Sequence, residues 1–105
     1  MYKGTTPTFI FQLETDTPID LTAMSQIWVT IRDGFGCKHN WDINRVTIDN
    51  EEKTISLYLS QLETLAMKPG IGAAQIRFLT NSGVALTTEK TMVRILPTIK
   101  GGIIS

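Results

Sequence analysis

Apolar and polar residues alternate along most of this chain. In residues 8–13, Phe9, Phe11 and Leu13 fall on one side and Thr8, Ile10 and Gln12 on the other. In residues 26–32, Ile27, Val29 and Ile31 oppose Trp28, Thr30 and Arg32. A period of two belongs to the β-strand, whose successive side chains point to opposite faces, so each run predicts a strand with one buried face. The same alternation predicts strands over 38–43, with His39, Trp41 and Ile43 on one face, and around Val46 and Ile48. Residues 54–59 follow, with Ile55, Leu57 and Leu59 inward and Tyr58 outward. Residues 72–80 put Ala74, Ile76 and Phe78 inward, and residues 87–96 do the same with Val93 and Ile95.

Turn chemistry separates these runs. Asp33-Gly34-Phe35-Gly36, Asp49-Asn50-Glu51-Glu52-Lys53 and Asn81-Ser82-Gly83 are connections rich in residues that tolerate tight backbone bends. Ser60-Gln61-Leu62-Glu63 has the spacing of a capping box, in which the serine hydroxyl and the glutamate carboxylate each satisfy a free backbone N–H at a helix start. Lys68-Pro69-Gly70 closes that helical piece, and residues 19–24 predict a second single turn. Short strands at regular intervals predict an all-β fold. The expected form is a two-layer antiparallel β-sandwich of about seven strands with one or two short helical turns. Residues 1–97 make the expected domain, and residues 98–105, with Gly101, Gly102, Ile103 and Ile104, a flexible apolar tail.

Composition narrows the functions open to such a fold. At 105 residues with 42% hydrophobic content, one core is attainable without disulfides or metals. Ten basic residues balance ten acidic ones, so the total charge provides no attraction for nucleic acid or an anionic membrane, and association with other proteins is eased. The single cysteine, Cys37, excludes an intrachain disulfide and fits folding in a reducing cytoplasm. The opening residues lack the apolar core of a signal peptide, and no apolar run is long enough to cross a bilayer.

Candidate chemistry is sparse. His39 is the only histidine, and it lies two residues from Cys37. Without an orienting third group the pair is expected to be a half-buried histidine and a small buried thiol. Cys37, His39 and Asp42 are the one local ligand cluster, but the aspartate falls on the opposite strand face, so no metal is expected. Glu14, Asp16 and Asp20 lack the spacing of a calcium loop. Glu51 and Glu52 diverge at a hairpin tip, and Gly70 and Gly72 lack the lysine and helix of a phosphate loop. No cofactor and no catalytic set follow. What remains is outward-facing apolar surface. Ile10, Trp28 and Tyr58 form a candidate protein-contact patch if the first, second and fifth strands share a sheet.

Several stretches carry a family likeness. The opening, Met1-Tyr2-Lys3-Gly4-Thr5-Thr6-Pro7-Thr8-Phe9-Ile10-Phe11, resembles the start of small proteins encoded in tail modules of phages and prophages of Gram-positive bacteria. Leu59-Ser60-Gln61-Leu62-Glu63-Thr64-Leu65 resembles their L-S-Q-E-E-T-L segment, with Leu62 in place of the first glutamate. Ala74-Gln75-Ile76-Arg77-Phe78-Leu79-Thr80-Asn81-Ser82-Gly83 is similar to their Q-x-R…T-x-x-G strand and turn. The group resembles the N-terminal, immunoglobulin-like domain of baseplate upper proteins, and the likeness runs from Met1 to about Val93. Residues 34–41 have no counterpart in it. The family continues into trimeric stalk and receptor-side regions, so a lone domain implies an accessory or adaptor role.

The resemblance implies a non-enzymatic tail or baseplate component, made in the bacterial cytoplasm and carried in the virion. Its partners would be other tail proteins and possible further copies of itself. The alternative is a carbohydrate- or receptor-binding module at the tail tip, which would place an aromatic such as Trp41 in a loop-lined cleft at one end.

Overall fold

The computed structural model describes residues 1–13, 20–88 and 90–98, and they form two antiparallel sheets packed face to face. The strands are β1 (Thr8–Gln12), β2 (Met24–Arg32), β3 (Lys38–Trp41), β4 (Val46–Asp49), β5 (Thr54–Tyr58), β6 (Gly70–Thr80), β7 (Ala85–Thr87) and β8 (Thr91–Ile95). One sheet has the order β1-β5-β4. The other runs β3-β2-β6, with β7 and β8 both paired to the far edge of β6. The expected all-β two-layer sandwich is therefore the fold. Its likeness to immunoglobulin domains is one of architecture, because β1 and β2 lie in different sheets here, whereas the first two strands share one in the immunoglobulin order.

Alternation decides which side chains meet between the sheets. Ile27, Val29 and Ile31 of β2 are fully buried, as are Ile55 and Leu57 of β5 and the following Leu59. With Ile76, Phe78, Val93 and Ile95 they form one continuous core. Each such side chain contributes roughly 1.5–3 kcal/mol by leaving water. Phe9 and Phe11, on edge strand β1, pack only partly against this core and stack on each other at 6.3 Å between ring centroids.

β6 is the spine of the larger sheet. It pairs with β2 from Arg32 opposite Ala73 to Met24 opposite Thr80, with a bulge between Met24 and Gln26. Near their shared end the backbones approach so closely that a Cβ at Gly72 would lie 1.8 Å from the Arg32 carbonyl oxygen. A Cβ at Gly34 would lie 2.0 Å from that of Pro69. Only glycine fits at either place.

Four expectations need correction. The third predicted strand ends at Trp41, and Ile43 opens a 3-10 turn, Ile43–Arg45, capped by the Asp42 carboxylate. The strand predicted over 87–96 is shorter, β8 (Thr91–Ile95), and an unpredicted strand, β7 (Ala85–Thr87), precedes it, which makes eight among the described residues. At the break the Thr88 hydroxyl accepts the Ile76 N–H at 3.0 Å, so a side chain takes the ladder position that continued strand pairing would fill. Cys37 is exposed rather than buried, because it precedes β3 in the turn. Asp33, expected as an ordinary turn residue, is buried.

The helix α1 (Gln61–Leu65) carries the predicted capping box. A 3-10 turn, Leu21–Ala23, stands where the second helical piece was expected, while Ile19 lies outside the described residues. So do Glu14, Asp16 and residues 99–105 of the predicted tail.

Candidate functional site

The two sheets turn their outer faces in opposite directions, and this divides the predicted patch. Ile10 and Tyr58 lie on the outer face of the three-stranded sheet, 66% and 55% exposed. Thr8 faces Tyr58 and Ile10 faces Ser56 across the β1–β5 pair, which makes Ile10 and Tyr58 diagonal neighbours. Trp28, 44% exposed, lies on the outer face of the five-stranded sheet, where it faces Arg77 across the β2–β6 pair. The three residues are exposed but do not share a surface. Alternation states which way a side chain points, not which strand lies beside it.

The face around Trp28 is larger than the sequence suggested. Ile71, Leu79 and Met92 are exposed apolar residues on the same side of the sheet. Between them stand four cations. Lys38 faces Arg32, Arg77 faces Trp28, and Arg94 faces Ile71. Sequence reading missed this group because its members come from four strands, and only the cross-strand register brings them together.

A concave feature lies at the β3 edge of the larger sheet. His39, Asn40, Trp41, Leu62, Glu63 and Ala66 line an open cleft of about 300 Å3 between β3 and α1. Its polar groups are occupied with holding the structure. The Glu63 carboxylate accepts both terminal nitrogens of Arg45, at 2.7 and 2.9 Å, along with the Trp41 indole N–H and the Ser60 backbone N–H. The Arg45 guanidinium holds the Glu63 carboxyl at about 2, against the opposing effect of burial. Trp41 is 7% exposed, so it offers almost no ring face to a ligand.

Beside the cleft, the buried Asp33 carboxylate accepts from the backbone N–H groups of Phe35, Cys37 and Lys68 and pairs with His39 Nε2, each at 3.0 Å. Burial alone would raise its pKa. The bond from His39 and the three backbone donors outweigh burial and bring it to about 2. The His39 ring stacks on Trp41 at 6.4 Å between centroids. An orienting carboxylate for His39 therefore exists, although the sequence suggested none. Cys37 contributes its backbone N–H to that carboxylate, and no hydrogen bond joins its thiol to His39. Asp42 is engaged with the Asn44 N–H. Among the described residues no three of His, Cys, Asp or Glu gather as metal ligands would.

No family model matches the chain, and no curated protein or solved structure matches it either.

Proposed function

We propose that this protein is a non-enzymatic structural component of a phage or prophage tail or baseplate, working through protein contacts on the outer faces of its sandwich. The observation that carries this reading is the large apolar exposure on both outer faces: Ile10 and Tyr58 on one, Trp28, Ile71 and Met92 on the other. Trp and Tyr anchor interfaces well because they bury much area at small entropic cost, and exposed apolar patches on a folded domain mark contact sites. The resemblance to tail-module proteins supplies the particle.

The alternative, a glycan- or receptor-binding module, draws on the cleft between β3 and α1. Stacking on a sugar needs an open aromatic face. Trp41 is covered, and its N–H is already given to Glu63, so the cleft supports that role poorly.

Mass spectrometry of gradient-purified particles from a host carrying this sequence tests the proposal. The expected result is the intact chain at a fixed copy ratio to known tail proteins. Its absence from washed particles overturns the reading.

A further inference from the structure

The outer face of the five-stranded sheet is electrostatically one-sided. Arg32, Lys38, Arg77 and Arg94 all project from it, and no Asp or Glu occupies any of its outward strand positions. None of the four is in a salt bridge among the described residues. Arg32 and Lys38 even stand directly opposite each other across the β2–β3 pair. Like charges at facing positions destabilise a sheet, so this arrangement costs the isolated domain stability that an acidic neighbour would restore. The whole chain is neutral, ten charges against ten, and the exposed acids among the described residues lie off this face.

They concentrate at the turn between β4 and β5. Asp49, Glu51 and Glu52 are all exposed there, and the Asp49 carboxylate holds the turn's shape by accepting the N–H groups of Glu51 and Glu52 at 3.1 Å. The exposed Asp20 lies close by, since the adjoining Leu21 N–H donates to Asn50 within the turn. Lys53, beside them, is partly buried and donates to Asn50.

We propose that the five-stranded face is a docking surface for a second copy of this chain, which presents its β4–β5 turn. The cations take the acids of the turn, and Trp28, Ile71 and Met92 supply the apolar area. The contact joins two different surfaces, so it is heterologous and propagates head to tail into a ring or a filament. This rests on the contact role proposed above and names the partner of one face.

Charge reversal at each surface tests it on the full chain. Wild type is expected to self-associate by sedimentation at about 50 mM salt and to dissociate near 1 M, where exposed charges are screened. Arg32→Glu with Arg77→Glu, and separately Glu51→Lys with Glu52→Lys, should each weaken association by about tenfold or more while far-ultraviolet circular dichroism stays unchanged. Mixing the two reversed proteins should restore wild-type assembly, with the variants alternating. If a reversed variant loses its fold, the neutral pair Arg32→Gln with Arg77→Gln replaces the first and Glu51→Gln with Glu52→Gln the second, each with weakened association expected. Three results overturn the proposal: a monomer at low salt, a mixture that stays dissociated, or retention of a single-stranded oligonucleotide by wild type that the Arg32/Arg77 variant loses. A monomer that is nonetheless present in purified particles sinks this inference alone and leaves the structural role standing.

Discussion

The Asp33 carboxylate ties the turn after β2, the side chain of β3 and the backbone at Lys68 to a single point, 35 residues apart along the chain at the widest. Replacing it with alanine leaves three part-buried backbone N–H groups without their acceptor. Asp33→Ala is expected to lose about 3 kcal/mol in urea unfolding, about 1 kcal/mol for each part-buried hydrogen bond removed. His39→Ala leaves those three bonds intact and should lose only about 1 kcal/mol. Asp33 also makes the domain acid-sensitive. Its folded pKa of about 2 lies below the 3.8 of a free aspartate, so its contribution is complete above about pH 4 and disappears as pH falls towards 2. Glu63, lowered from 4.5 to about 2, acts in the same direction. Thermal midpoints should be flat from pH 7 to about 5 and fall steeply below 4. A midpoint unchanged at pH 2.5 would show that neither carboxylate matters. Asp33 was not legible in advance. An aspartate before Gly-Phe-Gly is ordinary turn composition, and only folding brings Lys68 and His39 to it.

Elements differ in how far they stand by themselves. α1 has five residues, far too few for an independent helix, so its caps and packing decide whether it forms. Ser60 and Glu63 cap each other's end of the first turn, and this was legible from the spacing alone. The second duty of Glu63, clamping Arg45 and Trp41, was not, because those partners lie 18 and 22 residues away. Ser60→Ala removes one cap bond and is expected to cost about 1 kcal/mol. Glu63→Ala also frees a guanidinium and an indole N–H, and should cost more, about 2–3 kcal/mol. Equal losses in the two variants by chemical denaturation would refute the clamp. The strands show the complementary limit. The faces of β2, β5 and β6 could be read from alternation, because burial selects one side of a pleated chain. The separate strand β7 and the late start of β8 could not, since the break between them depends on Thr88 meeting Ile76 across the sheet.

At the scale of the whole molecule, the assignment of strands to sheets decides what the exposed residues can do. Ile10 with Tyr58, and Trp28 with its cationic neighbours, look out from opposite sides of the core, so one partner covering one face leaves the other free. Under the tail-component role proposed above, the two faces are placed to meet two different neighbours. Trp28→Glu and Tyr58→Glu separate the two sides. Neither side chain belongs to the core, so each variant should keep its thermal midpoint within about 2 °C of wild type. Each should lower incorporation into particles through its own contact. Distant sites that share no partner combine additively, so the double variant should show the summed loss in binding free energy. A loss in the double variant no greater than in one single variant would mean that one face makes all the contacts. Incorporation equal to wild type in the double variant would mean that neither face touches a neighbour, and the exposed aromatic residues would then be ordinary surface.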